Sequence, residues 1–153
     1  MRKFFPLCLL LVMLLAVVTH AEEEGVTIFK ISLNMPTQQI LQTIGKPTFK
    51  AKKNTNWHYR KLNSKVPEWQ SDPIIVVRED KAKVIMGTNL EKGGTLVLCA
   101  KDPASKIEEV LGKCPNISAG ARENIRLYTY SNWHLQVVTM NDKVLAMSLN
   151  EEF

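Results

Sequence analysis

The side chains of this 153-residue chain that could do covalent or metal chemistry are its histidines, cysteines and paired acids. His58 and His134 each follow an Asn-Trp pair, and two imidazoles could share a metal ion. Zinc catalysis, however, takes three protein ligands with supporting hydrogen bonds, and no HExxH or equivalent spacing is present. The two also fall on non-equivalent strands, so the shared Asn-Trp-His reads as coincidence. Ser118 and Cys114 have no readable partner base, GxSxG is absent, and Glu108-Glu109 reads as the solvated face of a helix. No phosphate-binding or dinucleotide glycine pattern occurs. The expectation is a protein that is not an enzyme, with no catalytic residues, metal or cofactor.

Binding chemistry is better represented. Period-two alternation sets Trp57, Tyr59 and Lys61 against His58, Arg60 and Leu62, and sets Arg126, Tyr128 and Tyr130 against Leu127 and Thr129. Leu127 suits a helix-covered side, which would leave Tyr128 and Tyr130 on an open surface. Trp, Tyr and Arg dominate binding hot spots because they bury large area and keep a polar handle. Trp57, Tyr59, Trp69, Arg126, Tyr128, Tyr130 and Trp133 are therefore the expected partner-binding set, with core packing the alternative for Trp57 and Tyr59. Trp69, in the polar stretch Pro67-Glu68-Trp69-Gln70-Ser71, is the foremost of them. Between Lys46 and Lys65 there is no acid, and Lys50, Lys52, Lys53, Arg60 and Lys61 form a patch that would attract an anionic partner.

These residues must be positioned by a small exported chain. A hydrophobic fraction of 45% with 23% charged residues is globular composition, neither disordered nor collagen-like. Arg2 and Lys3, then the apolar residues 4–18, then Thr19-His20-Ala21, read as a cleavable signal peptide over residues 1–21. Cys8 lies inside the apolar stretch and makes no lipobox. The mature chain is expected to be secreted or periplasmic, with no membrane span and no role for nucleic acid. Removal of Cys8 leaves Cys99 and Cys114, either an intrachain disulfide or free or intermolecular thiols, since the helix between them would hold its ends about 15 Å apart unless the chain folds back.

The mature sequence repeats. ISLNMPTQQILQTIGKP over residues 31–47 lies on LCAKDPASKIEEVLGKC over 98–114, matching Pro36 with Pro103, Ile40 with Ile107, Ile44 with Leu111 and Gly45 with Gly112. Each copy predicts a short helix opened by proline and stopped by glycine. Strands follow at 57–62, 73–78 and 83–87 in the first copy, and at 125–130, 133–140 and 143–149 in the second. The expected divisions are a first repeat over 22–87, a linker over 88–93 and a second repeat over 94–153. Asn116-Ile117-Ser118 is also a glycosylation sequon.

IFKISLNMPTQQILQTIGKP, followed by an aromatic strand with Trp57 and Tyr59 and a later hairpin, resembles the repeat of secreted β-lactamase inhibitor proteins. Outer-membrane assembly lipoproteins of the SmpA/OmlA type share that unit. The resemblance implies an α+β fold of two tandem repeats, each a short helix-turn-helix packed on a three- to four-stranded antiparallel sheet. It also implies a concave, aromatic-lined face that grips another extracytoplasmic protein, most concretely as an enzyme inhibitor. The alternative it implies is a cell-envelope assembly factor touching outer-membrane proteins or an anionic envelope surface. Asn34 stands where that pattern has glycine, and Lys101-Asp102 stands in the second copy where the first has Asn34-Met35. In the inhibitors the cysteine that Cys114 resembles pairs with one on the following strands, and this chain has none there.

Overall fold

A computed structural model describes residues 25–53, 55–59 and 73–153. After β1 (Val26–Ile28) comes α1 (Thr37–Ile44), then β2 (Phe49–Ala51), β3 (Asn56–His58), β4 (Ile74–Arg78) and β5 (Lys81–Gly87). The chain continues through β6 (Asn89–Lys92), β7 (Thr95–Cys99) and α2 (Ser105–Leu111). It ends with β8 (Asn116–Ala119), β9 (Ile125–Tyr130), β10 (Leu135–Met140) and β11 (Lys143–Asn150).

The helices are short and their ends are set by local chemistry. Pro36 precedes α1 with φ −62, where its missing N–H has no intrahelical partner to lose. Gly45 and Gly112 close the two helices with φ 82 each, and their N–H groups donate to Leu41 O and Glu108 O. A Cβ at either glycine would meet nothing within 4 Å, so backbone angle rather than space demands the residue. One apolar stripe of each helix is buried, through Ile40 in α1 and through Ile107 and Leu111 in α2.

Eight strands form one antiparallel sheet in the order β2-β3-β4-β5-β11-β10-β9-β8, and β1-β6-β7 form a second. The expected helix-turn-helix repeats on separate small sheets are overturned. The described structure is mostly strand, each half has one α-helix, and β5 pairs with β11 to fuse both meanders. What precedes each helix is a tight turn tied to the sheet. Asn34 and Lys101 hold positive φ, and their N–H groups donate to Ala82 O and Val144 O at 2.8 and 2.7 Å. Backbone fixed in this way has no room for a second helix. Residues 89–92 of the expected linker are strand, because Leu90 alternates with Asn89 and Glu91, and Gly93-Gly94, both at positive φ, turn the chain back.

The two halves repeat the same backbone bonds. Thr37 N–H donates to Asp80 O and Ala104 N–H to Asp142 O, both at 2.9 Å. Ala82 N–H donates to Met35 O, and Val144 N–H to Asp102 O. The hairpin turns Glu79-Asp80 and Asn141-Asp142 carry positive φ at both residues, the geometry that suits strand twist. Each hairpin has a register shift just before its turn, at Val76/Val77 and at Val138/Thr139.

One buried cluster joins α1, α2 and the small sheet to a single face of the large sheet. Trp57, Ile75, Ile85, Leu149, Leu135 and Tyr130 follow one another across that face, strand by strand. The small sheet crosses it so closely that a Cβ on Gly87 would meet Ile28 Cγ2 at 2.6 Å. Because Gly112 is held only by its φ, Gly112→Ala is expected to cost about 1–2 kcal/mol in denaturant unfolding. A loss below about 0.3 kcal/mol would show that the helix end relaxes.

Candidate functional site

Among the described residues, strand alternation leaves the second face of the large sheet outside the buried cluster. Across its centre run Phe49, His58, Ile74, Met86, Ser148, Gln136, Thr129 and Asn116, each opposite the next. Beside them lie Asn56, Val76, Val84 and Asn150 on one flank, and Ala146, Val138, Leu127 and Ser118 on the other. None of these sixteen side chains is a Lys, Arg, Asp or Glu, in a chain with 23% charged residues. Met86 is 37% exposed, and Phe49 stacks on His58 with ring centroids 4.1 Å apart. A sheet face that only met water would carry polar residues at these alternate positions.

The expected aromatic set lies mainly elsewhere. Trp57, Tyr59 and Tyr130 are buried in the core, and Tyr128 is half-buried against it. The expected facing of the second repeat is therefore reversed, with Tyr128 and Tyr130 on the helix side and Leu127 on the open side. The reason is the tyrosine hydroxyl. Tyr130 Oη donates to Gly112 O at 2.8 Å and Tyr59 Oη to Gly45 O at 3.3 Å, so each phenol caps the carbonyl at its own helix C-terminus. Leucine could fill that space but not bond that carbonyl.

Arg126 shares the strand face of Tyr128 but is exposed, opposite the buried Thr139. Trp133 sits in the 3-10 turn Ser131–Trp133, stacked on Tyr130 at 5.7 Å, with Lys92 Nζ 5.0 Å from its ring centre. Together with Val26, Leu33 and Leu149 it walls a cleft of about 250 Å³, large enough for one apolar side chain. Lys50 Nζ lies 4.3 Å from the Trp57 ring centre, and Lys52 and Lys53 are exposed in the turn after β2. Trp69, Arg60 and Lys61 lie outside the described residues.

Cys99 and Cys114 are not joined. Cys114 is buried, its Sγ donating to Asn116 O at 3.2 Å, while Cys99 is half-buried beside Asp102. Burial, and then the Asp102 carboxylate, push the Cys99 thiol up, away from the nucleophilic thiolate. Among the described residues no three His, Cys, Asp or Glu side chains gather as a metal site. The arrangement offers contact chemistry: a sheet surface whose centre is uncharged and partly apolar, and one aromatic-walled cleft.

Ile74, Val76, Val84, Met86, Leu127, Val138 and Ala146 were not among the sequence candidates. Their signal is apolarity on both faces of one strand, as in Ile74-Ile75-Val76-Val77, which in an antiparallel sheet means that both sides have something to cover.

No family model matches the sequence, and no curated protein matches it. Among solved structures, a DUF4309 family protein (YjgB) from Bacillus subtilis subsp. subtilis str. 168 is similar to this chain with a TM-score of 0.46 and 9% identity. The likeness covers 75% of this chain and 77% of that one. Among the described residues no helix is long and apolar enough to cross a membrane.

The tyrosine caps give stability a pH signature. Burial raises the Tyr59 phenol from 10.0 to about 12 and drives that of Tyr130 upward as well. An acid whose folded pKa exceeds its unfolded value contributes fully below that unfolded value and loses the contribution as pH rises through the folded one. Thermal unfolding is therefore expected to show stability falling from about pH 10 to about pH 12. The Tyr59→Phe, Tyr130→Phe double variant, less stable at pH 7, should fall less steeply over that window. Equal slopes would contradict the assignment.

Proposed function

We propose that this chain is a secreted or periplasmic, non-enzymatic protein-binding module that docks a partner on the open face of its eight-stranded sheet. The observation that carries the reading is the composition of the centre of that face: among the described residues its sixteen side chains carry no formal charge, and Ile74, Val76, Val84, Met86, Leu127 and Val138 stand there outside the core. Contiguous apolar surface that a protein does not bury against itself marks a place where something else is buried. The signal-peptide reading puts the partner outside the cytoplasm. The resemblance of the repeat to secreted β-lactamase inhibitor proteins supports an inhibitor of an extracytoplasmic enzyme as the concrete form.

In that form the mechanism is occlusion. The sheet is held rigid by the core behind it, so little side-chain or loop entropy is lost on docking. Met86 and Ile74 at the centre would bury against the partner, while the polar half of the same row, Ser148, Gln136 and Thr129, supplies hydrogen bonds that fix orientation. Lys50, Lys52 and Lys53 at the β2 end set up a positive field that favours a partner with an acidic rim.

The test is affinity capture from the extracytoplasmic fraction of the source organism with the wild-type chain and with Met86→Asp. A charge at the centre of an apolar contact is expected to weaken binding by at least about 30-fold, a loss of about 2 kcal/mol. The exposed position should leave the thermal midpoint nearly unchanged. A partner retained equally by Met86→Asp would refute docking on this face.

A further inference from the structure

Among the described residues, the large sheet ends in two strands of unlike character, β2 and β8. At one end β2 carries Lys50, and Lys52 and Lys53 follow it directly. Edge lysines of this kind are what keeps monomeric sheets from pairing edge to edge, because joining two such edges would bring like charges together. At the other end β8, among the described residues, pairs with β9 alone and reads Asn116-Ile117-Ser118-Ala119, with neither charge nor proline and no register shift against β9. All four residues are exposed, and Ile117 is 47% exposed.

The hydrogen bonds this edge has left to make can be identified. Gly120 N–H donates to Ile125 O at 2.9 Å, so Gly120 and Ile125 form a hydrogen-bonded pair of the hairpin. Antiparallel ladders alternate such pairs with non-bonded ones. Ser118 with Leu127 and Asn116 with Thr129 are therefore bonded pairs, while Ile117 and Ala119 aim their N–H and C=O groups away from the sheet.

We infer that β8 pairs antiparallel with β8 of a second copy of this chain, about a two-fold axis through Ser118. In that arrangement Ile117 of one copy lies opposite Ala119 of the other, and each such pair exchanges two main-chain hydrogen bonds. A large side chain stands beside a small one, so the contact does not crowd, and no charged residue of β8 meets its like. An isologous contact needs this self-complementarity, and Ile117-Ser118-Ala119 has it. The molecule already uses the same device internally: β5 and β11 join its halves through four antiparallel residue pairs. The second copy would extend the sheet and make the two open faces continuous, since Asn116 ends the central row of each. The pairing stands independently of what docks on that face.

A four-residue edge buries less than the roughly 1,200 Å² of a tight interface, so the dimer is expected to be weak and concentration-dependent. Sedimentation velocity on the purified protein from about 1 μM to about 1 mM tests it, with a shift from monomer to dimer expected over that range. Ile117→Lys places a charge on the edge, and Ile117→Pro removes an outward N–H that β9 does not use. Each should weaken the dimer at least tenfold with circular dichroism unchanged. Ala119→Lys, at the opposite position of the same pair, should do likewise, and Lys50→Glu should have no effect. A monomer at every concentration would overturn the inference. So would a dimer untouched by both Ile117→Lys and Ala119→Lys, one lost only with Lys50→Glu, or an edge occupied instead by an extended peptide of another protein.

Discussion

The antiparallel pairing of β5 with β11 is the constraint on which the rest of the molecule depends. Units of roughly 60 residues bury too little apolar surface to be secure alone, and each meander by itself would end in a bare edge. The seam removes both defects. Ile85 lies opposite Leu149 and Gly87 opposite Met147, all of them buried, so the core crosses the seam without interruption. The small sheet then closes over this centre, with Gly87 giving Ile28 the room to approach.

Among the described residues, a sheet built in this way is covered on one side only. Both helices and the small sheet contribute to one cluster of buried residues, and the tyrosine caps lock each helix to the strand beneath it. The other side keeps Ile74, Val76, Val84, Met86, Leu127 and Val138 without charge among them. Leaving such residues partly exposed contributes nothing to the stability of the isolated chain and raises the risk of association. In the proposed reading, the composition of this face answers to a partner rather than to folding.

What the sequence disclosed follows from the range of each interaction. Helix ends were legible because Pro36, Gly45 and Gly112 act through their own backbone angles, and the Asn141-Asp142 turn was legible for the same reason. The seam was not, because the pairing of residues 84–87 with 147–150 depends on contacts far apart in the chain. β6 reads as linker because a four-residue strand with one apolar side chain, Leu90, has almost no period. The faces of β9 were inverted because Leu127 is the more apolar neighbour of Tyr128, yet the deciding interaction is a hydroxyl bonded to a helix end eighteen residues away, at Gly112. An open sheet face is legible in the alternation, but its apolar residues are not, since Ile74, Val76 and Val84 sit in runs apolar on both sides, which composition alone reads as core.

The central claim, that the seam makes two repeats into one cooperative body, is tested most directly by native-state hydrogen exchange. The amides of β5 and β11 that bond across the seam should be among the last to exchange, opening only with global unfolding and at the same free energy as those of β4 and β10. Seam amides that exchange well before the β4–β5 and β10–β11 hairpins open would contradict it, showing two units that merely touch.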